Sequence, residues 1–452
     1  MTPRQLDVTV NGQLVGHLRE NNDLWELEYS QEWVASARGF DLSPELPRAQ
    51  AVHTDGASKR PVQWYFDNLL PEEALRTVIA KEADLSAEDA FGLLAHFGAE
   101  SAGSLVLHDP QRPAPAERGL KPLPLAELSQ RIGNLPKVSL TRDAPKKMSL
   151  AGAQHKMLVV LNGNEGNELF EPLPGTPSTH ILKPNHQGDD YPASVMNEYF
   201  TMRLAKAVGL EVPEVRRMYV PQPVYLVERF DRVKGKDQNK ENVEEVMEVQ
   251  RRHVIDTCQL LGKARTFKYS AAHLDTLAQA VGLCRSRAAA RLQLYRWVVF
   301  NVLIGNGDNH LKNISFLVDA SGINVAPAYD LLCTAAYETR ALADEKARWP
   351  DTALAFSLGN AKTFAAVTRA HVLEAGQALG LAATTAKREL DLFIKAVPLE
   401  ADKLIADIEA HNEKDVAASP DPATTRAYLG GEMRMLGAVR HIVLTEMAQQ
   451  LA

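Results

Sequence analysis

The chain has 452 residues, enough for two or three domains, and its 45% hydrophobic and 24% charged residues are ordinary for a globular protein. Its net charge of −7 argues against a protein that coats nucleic acid through bulk electrostatics, although a local basic patch is not excluded. The 3 cysteines are widely spaced and form neither a disulfide framework nor a zinc pattern, and no apolar run reaches the roughly 18 residues of a membrane span.

The start of the chain, MTPRQLDVTVNG, has none of the features of a secretory signal peptide. Unpaired cysteines fit the reducing conditions of the cytosol. We therefore expect a cytoplasmic protein that does not use a membrane as a partner.

The first region of the sequence predicts a small antiparallel sheet. Leu6–Val10 alternates between apolar and polar residues, meets Asn11-Gly12 and resumes at Val15–Leu18, which predicts a hairpin with a type I′ turn. Trp25–Tyr29 is a third alternating segment. These three segments are expected to pair side by side.

Helices and a proline-rich passage complete this first region. PEEALRTVIAKEA places Pro71 at the head of a predicted helix, and Ser86 opens a capping-box-like SAED before AFGLLAHFG. A strand is predicted at Gly103–Leu107, and the passage from Asp109 to Pro124, DPQRPAPAERGLKPLP, is typical of a linker. The sequence therefore predicts a domain boundary near this passage.

A second group of strands begins with a turn that is suited to phosphate binding. MSLAGAQHK, from Met148 to Lys156, is rich in small residues and precedes a predicted strand at Met157–Leu161. Such a turn lets backbone amides approach phosphate oxygens. It contains only one glycine, Gly152, so a plain turn between strands also explains it.

Lys183 ends the predicted strand HILKP, in the manner of the lysine that contacts the nucleotide phosphates in protein kinases. A lysine at a strand end is more often simply solvated. The following helix, which Ser194 can cap and which runs to Gly209, favours the first interpretation because it carries Glu198 where it can reach Lys183. Glu198 is equally explained as an acid placed favourably near a helix N-terminus.

The next predicted strand, Val224–Arg232, turns from apolar to polar in VYLVERFDR. Between two lobes, such a strand can supply backbone hydrogen bonds to an adenine, with Phe230 covering the base. An edge strand with a core phenylalanine is the alternative. The charged tract that follows, from Lys234 to Gln250, is predicted to be a surface insertion.

The most informative segment is GNGDNHLKN, which follows a long, apolar predicted helix and precedes a predicted hairpin. The spacing from Asp308 to Asn313 equals that of the Asp and Asn in the kinase catalytic loop, and Asp330 follows in the order of the metal-binding Asp. The flanking HRD and DFG signatures are absent. A polar turn between a helix and a hairpin therefore also explains the segment.

Helical patterns dominate from Arg251 onward. They occur in HVIDTCQLLG, HLDTLAQAVG, RSRAAARLQLYRWVVFNVLI, VTRAHVLEAGQALG, ATTAKRELDLFIKAV, LEADKLIADIEAHNE and GEMRMLGAVRHIVLTEMAQQL. The pattern predicts an α+β, bilobal fold like that of protein kinases, with a β-rich N-terminal half and a mostly helical C-terminal lobe. The predicted domains are 1–124, with the small sheet, 125–232, with the phosphate-side loop and hinge, and 233–452, with the catalytic loop.

In their joint order these motifs resemble the HipA family, the serine/threonine-kinase toxins of type II toxin–antitoxin pairs. The resemblance covers nearly all of the chain and includes the opening hairpin, FDNLLPEE, SLAGAQHK, HILKP, the NEY helix, VERFDR, HVIDTCQLLG, GNGDNHLKN and AYDLL. One such motif alone is weak evidence, whereas their order is specific. The resemblance implies a HipA-like fold and an ATP- and Mg²⁺-dependent protein kinase.

The resemblance also implies roles for individual residues. Asp308 would be the catalytic base, Asn313 and Asp330 the ligands of Mg²⁺, and Glu198 a supporting residue. The residues implied to bind ATP are Ala151, Gly152, Ala153, Gln154, Lys156, Lys183, Glu228, Phe230, Asp231, His310, Lys312, Asn313 and Asp330.

Within this set the resemblance distinguishes the parts of the nucleotide. Glu228 and Phe230 would border the adenine, and Asp231 the ribose. The loop around residue 152 would lie beside the phosphates. His310 and Lys312 belong to the catalytic loop and would support its shape and charge.

The resemblance further implies a switch and a set of partners. Ser149 matches the serine that family members autophosphorylate, and about −1.5 to −2 charges there would repel the ATP phosphates and inactivate the kinase. The known family target is glutamyl-tRNA synthetase, and the antitoxin is a helix-turn-helix dimer resembling HipB that binds the toxin and operator DNA. Lys387 and Arg388 are candidates for direct contact with that DNA, although a solvated helix face is the simpler explanation.

Two other functions fit parts of the pattern. The first is a non-catalytic, kinase-like corepressor, which the complete set of Asp308, Asn313 and Asp330 argues against. The second is a small-molecule kinase of the same two-lobed build. ATP turnover by the isolated protein separates a kinase from a corepressor, and phosphoserine at Ser149 favours a protein kinase.

Overall fold

A computed structural model of the protein describes residues 3–112, 117–148, 150–152, 154–162, 168–233 and 249–452. The chain forms two compact units. Unit 1 consists of Met1–Leu182, Glu228–Phe267 and Ser315–Ile323, and unit 2 consists of Lys183–Val227, Lys268–Ile314 and Asn324–Ala452. Residues 234–248 of the predicted charged insertion lie outside the described residues. The division into three consecutive domains stays a prediction.

Strands dominate the first half of the described chain, and a few follow in the second half. In chain order the strands are β1 (Arg4–Val10), β2 (Gln13–Asn21), β3 (Leu24–Tyr29), β4 (Val52–Thr54), β5 (Leu105–His108), β6 (Leu120–Pro122), β7 (Met157–Asn162), β8 (Glu168–Pro172), β9 (His180–Pro184), β10 (Val215–Tyr219), β11 (Pro223–Glu228), β12 (Arg232–Val233), β13 (Gln250–Arg251), β14 (His253–Asp256), β15 (Ser315–Asp319), β16 (Gly322–Val325), β17 (Ala353–Leu358) and β18 (Ala361–Thr363).

Helices dominate the second half, as the sequence predicts. The α-helices are α1 (Gln31–Ala35), α2 (Pro61–Asp67), α3 (Glu73–Glu82), α4 (Ala90–Phe97), α5 (Leu125–Gly133), α6 (Ser194–Ala207), α7 (Thr257–Leu260), α8 (Leu274–Leu283), α9 (Arg287–Leu303), α10 (Arg340–Ala343), α11 (Arg369–Ala378), α12 (Ala383–Ala418), α13 (Pro422–Gly437) and α14 (Thr445–Leu451). A π-helical stretch, Ala438–Leu444, joins the last two. No helix within the described segments has both the length and the apolar character needed to cross a bilayer.

The predicted N-terminal hairpin is part of a five-stranded antiparallel sheet in unit 1, in the order β4-β3-β2-β1-β5. Asn11 and Gly12 have φ angles of 48° and 82°, which are the two positive values that a type I′ turn requires. Leu6 pairs with Leu18, and Leu18 pairs with Leu27, so the buried side chains of three strands share one face. This alternation confirms the sequence-based prediction.

The proline-rich passage that was predicted to be a linker contributes a strand of unit 1. Within it, β6 pairs with β8 through Leu120 opposite Pro172. In turn β8 pairs with β7, and Met157 at the start of β7 pairs with Leu182 in β9. The short strand escaped prediction because its sequence, LKP, has too few residues to show a period of two.

The segment HVIDTCQLLG was predicted to be helical, and that prediction is wrong for its first half. His253–Asp256 forms β14, which pairs antiparallel with β15 in unit 1. Only Thr257–Leu260 is helical, and Asp256 begins it with a capping box to Gln259. The β-branched pair Val254 and Ile255 suits a buried strand better than a helix.

The two helices predicted around residues 383–412 form one helix of 36 residues in unit 2, which continues through Pro398. A proline inside a helix costs about 3 kcal/mol, which is why the sequence predicted a break there. Buried residues continue at helical spacing across the proline, from Phe393 and Val397 to Ala401 and Leu404. Their packing maintains the helix despite the lost hydrogen bond.

Three predicted helix starts are also shifted in the structure. Asp89, rather than Ser86, accepts the capping hydrogen bond from the amide of Gly92 in α4. Pro71 precedes the first residue of α3, and Ser194 is the first residue of α6 rather than its cap. The Ser194 hydroxyl instead accepts a hydrogen bond from the amide of His186. For Ser194, this loop contact replaces the predicted capping hydrogen bond.

Candidate active site

A buried ion-pair cluster of unit 2 joins Lys183, Glu198 and Asp330. The Lys183 Nζ atom lies 2.8 Å from Glu198 Oε1 and 2.6 Å from Asp330 Oδ1. The side chains of Lys183 and Glu198 are 8% and 7% exposed, whereas that of Asp330 is 35% exposed. The structure therefore brings together three residues that the sequence assigned to one site.

The cluster fixes the charge of the lysine. Burial by itself lowers the pKa of the Lys183 ammonium, but the carboxylates of Asp330 and Glu198 outweigh this effect and raise the pKa above its ordinary value. Lys183 is therefore a permanent cation at physiological pH. One acid, Glu198, is as buried as the lysine, while the more exposed Asp330 is accessible to other ligands.

Two local features place the carboxylates. Glu198 lies in the first turns of α6, which begins shortly after the end of β9, where Lys183 is located. Asp330 adopts a φ angle of 57°, a left-handed conformation that Asp tolerates better than most residues. Asn197 links α6 to the segment that follows Asp330. Its amide nitrogen donates a hydrogen bond to the Cys333 carbonyl at 2.9 Å, and its amide oxygen accepts one from the Cys333 backbone amide at 2.8 Å.

The predicted catalytic loop is a compact turn that follows α9. The Asp308 carbonyl accepts a hydrogen bond from Asn313 Nδ2 at 2.9 Å and another from the amide of His310 at 2.9 Å. The Asp308 amide donates to Asn306 Oδ1 at 3.0 Å. The spacing of five residues between Asp308 and Asn313 thus corresponds to a direct contact that holds both residues in one turn.

Side chains outside the motif hold the loop in place. Asn306 Nδ2 donates to Asn301 Oδ1 at 2.7 Å, and Asn301 Nδ2 donates to the Trp297 carbonyl at 2.8 Å, so the loop is tied to α9. The Thr334 hydroxyl accepts from the amide of Gly307 at 2.6 Å. A Cβ atom at Gly307 would lie 2.8 Å from the Ala353 carbonyl oxygen, so a larger residue would displace the loop.

The Asp308 carboxylate is partly buried and has charged residues close to it. Burial raises the pKa of its carboxyl above the ordinary value and Asp330 adds to the rise, while His310, Tyr269 and Lys268 oppose it without cancelling it. The Tyr269 hydroxyl donates a hydrogen bond to Asp308 Oδ1. A half-buried carboxylate with a raised pKa is suited to accept a proton.

The oxygen ligands of this region fit Mg²⁺. The Asn313 amide nitrogen is engaged by the Asp308 carbonyl, which leaves the amide oxygen as its metal-binding atom, and Asp330 offers a carboxylate. Mg²⁺ characteristically takes few protein oxygens and completes its coordination with water and phosphate oxygens. The Tyr225 hydroxyl, buried beside the cluster with its ring 5.9 Å from Lys183 Nζ, has no hydrogen-bond partner among the described residues, which fits a further polar ligand.

The residues predicted to bind phosphate in unit 1 are described in part. Gly152 has a φ angle of 104°, a backbone conformation that residues with a side chain rarely adopt, so the turn favours glycine. Lys156 Nζ donates to the Ala151 carbonyl at 2.7 Å, which closes the turn. Gln154 follows in the same turn, whereas Ser149 and Ala153 lie outside the described residues.

The predicted adenine and ribose residues also belong to unit 1. Glu228 ends β11, and both Glu228 and Phe230 are half-buried. Asp231 is buried, and its carboxylate accepts hydrogen bonds from Arg229, at 2.6 Å and 2.9 Å, and from the Gly103 amide at 2.7 Å. In this structure Asp231 is therefore engaged in an ionic network, and its role toward a ribose stays a prediction.

The remaining predicted residues divide between the loop and a surface helix. His310 and Lys312 are buried in the catalytic loop, and the Lys312 carbonyl accepts a hydrogen bond from the Tyr329 hydroxyl at 2.8 Å. Lys387 and Arg388 are exposed on α12, where they pair with Asp391 at 2.7 Å and Glu389 at 2.9 Å. Their contact with DNA stays a prediction.

Sequence reasoning missed Asn197, Thr334, Tyr225 and Tyr269. Asn197 immediately precedes Glu198 and is the first residue of the NEY motif, which is a signal that could have been used. Tyr225 lies in the predicted strand VYLVERFDR but was given no role there, and Thr334 and Tyr269 belong to no motif. Only the folded chain shows that they contact the site.

Comparison with known proteins gives matches over most of the chain. The family model described as the HipA-like C-terminal domain matches residues 148–401, and the model of the HipA N-terminal domain matches residues 6–108. A protein of Sinorhizobium fredii described as a putative kinase is 36% identical over 353 residues, which cover 75% of this chain and 79% of that protein.

Two further matches come from Shewanella oneidensis. The serine/threonine-protein kinase toxin HipA of that organism is 31% identical over 352 residues, which cover 74% of this chain and 76% of the toxin. A solved structure described as a complex of HipA, HipB and operator DNA aligns with a TM-score of 0.72 and 25% identity, covering 98% of this chain and 99% of that one.

Proposed function

The chain belongs to the HipA family, and from this premise we propose that it is a protein serine/threonine kinase that uses ATP and Mg²⁺ and acts as the toxin of a toxin–antitoxin pair. Its α+β fold is that of the HipA relatives, as the sequence predicted. The observation that supports the kinase chemistry best is the Lys183–Glu198–Asp330 cluster. The same unit carries Asp308 and Asn313, which contact each other within one loop.

In this proposal Asp308 orients the acceptor hydroxyl and takes its proton while the phosphoryl group is transferred. Its raised pKa suits a general base, because a carboxylate that binds a proton more tightly removes it from the hydroxyl more readily. Asn313 shares the turn with Asp308 and would hold the metal at a fixed distance from the base. The loop therefore supplies positioning as well as proton transfer.

Lys183 serves as a fixed positive charge for the nucleotide phosphates. Glu198 holds its ammonium from the buried side, and the more exposed Asp330 would exchange part of this contact for Mg²⁺. When bound, Mg²⁺ neutralises charge on the phosphate oxygens. Asn313 and Asp330 are the residues proposed to hold it.

The residues of unit 1 are assigned to the nucleotide by the same proposal. Gly152 has a positive φ in a turn that the hydrogen bond from Lys156 to the Ala151 carbonyl closes, and a tight turn beside a strand suits phosphate oxygens. Ala151, Ala153 and Gln154 are assigned to the phosphates by the same proposal. Glu228 and Phe230 would border the adenine, and Asp231 the ribose. In unit 2, His310 and Lys312 would support the shape and charge of the catalytic loop on the ATP side.

Regulation and partners form the finer part of the proposal. Ser149 would be autophosphorylated, and the charge of its phosphate would repel the nucleotide and stop the kinase. A HipB-like helix-turn-helix dimer would bind the protein and carry it to operator DNA; in support, one solved relative is described as a complex of HipA, HipB and operator DNA. Glutamyl-tRNA synthetase is the proposed target, and the cytoplasm is the proposed site of action.

The decisive test is the substitution Asp308→Asn, which removes the proposed base and keeps the size of the side chain. Phosphate transfer from labelled ATP to serine should fall by about 10²–10⁴-fold, because general-base catalysis contributes a factor of that order. Asp275→Asn, an exposed acid at the start of α8 in the same unit, is the matched control and should transfer phosphate at the parent rate. Equal transfer by Asp308→Asn and the parent would refute the assignment.

Mass spectrometry after incubation with Mg²⁺ and ATP tests the finer claims. Phosphoserine at Ser149 and a labelled serine in purified glutamyl-tRNA synthetase are the expected products. Transfer to a small molecule with no protein product would favour the small-molecule kinase instead. Absence of any ATP turnover by the isolated parent protein would favour the non-catalytic corepressor.

A further inference from the structure

One side chain outside the kinase motifs contacts the proposed base directly. Tyr269, which lies 39 residues before Asp308 in sequence, donates a hydrogen bond from its hydroxyl to Asp308 Oδ1. Tyr269 lies between the 3₁₀ turn Arg265–Phe267 and helix α8. Both residues belong to unit 2, so the contact lies within one compact body.

Tyr269 is held by the catalytic loop rather than by the core. The backbone carbonyl of its neighbour Lys268 accepts a hydrogen bond from the Leu311 amide at 3.1 Å. The Tyr269 ring meets the His310 ring edge-on, with 4.9 Å between centroids and an angle of 78°. At 45% exposure, the tyrosine buries too little surface to be explained as core filling.

Hydrogen bonds to its amide and to its carbonyl fix the backbone of Asp308. These bonds leave the side-chain torsion angles of Asp308 unconstrained. Asn306 accepts from its amide, and Asn313 donates to its carbonyl. A carboxylate with one oxygen held by a donor has a defined direction for its second oxygen. Orientation of this kind matters, because misplacing a reacting group by about 1 Å can cost roughly 10²-fold in rate.

We propose that Tyr269 is the positioning residue of the catalytic base: its hydroxyl holds one carboxylate oxygen of Asp308 so that the carboxylate faces the acceptor hydroxyl. The assignment rests on the proposed role of Asp308. The edge-on contact with His310 fixes the ring, and the backbone contact of Lys268 fixes the segment, so the hydroxyl reaches Oδ1 without a large loss of side-chain entropy on each turnover.

The test compares Tyr269→Phe with Tyr191→Phe. The two tyrosines match closely, since Tyr191 is 46% exposed, lies in unit 2 and meets the ring of His186 edge-on at 4.6 Å. Tyr269→Phe should lower kcat for serine phosphorylation by about 10–100-fold and leave the KM for ATP and the Tm within error, because the ring and its contact remain. Tyr191→Phe should leave all three values unchanged.

A double-mutant cycle shows whether Tyr269 acts through Asp308. Adding Tyr269→Phe to Asp308→Asn should reduce the residual rate no further, whereas a purely structural role would lower it again. A kcat for Tyr269→Phe equal to that of the parent would overturn the proposal. So would a higher kcat/KM for the protein acceptor, which would mean that the tyrosine hydroxyl competes with the acceptor for the base.

These outcomes differ from a failure of the proposed function. If Asp308→Asn transfers phosphate as fast as the parent, both the base assignment and its positioning residue are wrong. If Asp308→Asn is inactive and Tyr269→Phe is fully active, only the role of Tyr269 is wrong. Nucleotide affinity, measured with a fluorescent ATP analogue and Mg²⁺, should be equal in the parent and in Tyr269→Phe.

Discussion

Lys183 illustrates what is decided at the scale of single residues. Its contact with Glu198 spans 15 residues and is accessible to sequence reasoning, because a strand end and the next helix start are close in space. Its contact with Asp330 spans 147 residues, and spacing alone says nothing about it. The motif predicted that both acids serve one site, and the fold supplied the distances.

His253 offers a residue-scale prediction about pH. Its ring is buried in unit 1 between the Tyr65 hydroxyl, at 3.2 Å, and the Ser104 hydroxyl, at 3.0 Å. Burial lowers its pKa from 6.5 to about 4. Between pH 6.5 and about pH 4, His253 is protonated in the unfolded chain and neutral in the folded chain. The free energy of unfolding therefore falls as the pH falls through this window.

The loss attributable to His253 should approach roughly 3 kcal/mol at the acid end of that window. Urea unfolding of the parent and of His253→Gln between pH 7 and pH 4 measures it, and the variant should show the flatter dependence even if it is less stable at pH 7. Parallel curves would contradict the prediction. NMR of ¹⁵N-labelled histidine gives a direct check, since the His253 ring should stay neutral at pH 5.

At the scale of elements, one buried acid ties distant segments of unit 1 together. Glu100 lies shortly after the end of α4 and is fully buried. Its carboxylate pairs with four cations, Lys146, Arg229, Arg232 and Arg251. Burial alone would raise the pKa of Glu100, but these cations hold it well below its usual range. The carboxylate therefore stays charged and compensates several buried cations.

Glu100→Gln should lower the free energy of unfolding by about 3–5 kcal/mol, because it leaves Lys146 and Arg251 without their carboxylate partner. Glu88→Gln, an exposed acid in the same unit, is the matched control and should change it by less than about 0.5 kcal/mol. Denaturant unfolding of both variants measures the difference. A loss as small as that of the control would show that the surrounding arginines find other partners.

The elements also show where local sequence signals are sufficient. The hairpin at Asn11-Gly12 and helix α9 were predicted correctly, since turn chemistry and apolar periodicity act within a few residues. Helix α12 was predicted as two, because Pro398 normally ends a helix. The packing that maintains it comes from residues far away in sequence, which no local window contains.

At the scale of the whole molecule, nucleotide binding should couple to stability. A ligand that binds only the native state stabilises it by about 2.7 kcal/mol at 100 times its Kd. A non-hydrolysable ATP analogue with Mg²⁺ should therefore raise the Tm, and EDTA should reduce that rise. In Asp330→Asn, the rise in Tm caused by the analogue should no longer depend on Mg²⁺, while Asp275→Asn should behave like the parent. An equal rise in the Tm of the parent with and without Mg²⁺ would contradict the proposed metal ligands.

The sequence by itself determined the family, the α+β class and the identities of the proposed catalytic residues. Motif order carries this information, because Lys183, Glu198, Asp308, Asn313 and Asp330 occur in the order in which protein kinases carry the corresponding residue types. Only the tertiary structure decided that each compact unit is assembled from three separate segments. It alone also revealed the support that Asn197, Thr334 and Tyr269 give to the site, because hydrogen bonds between distant segments depend on distance in space and leave no periodic signal in the chain.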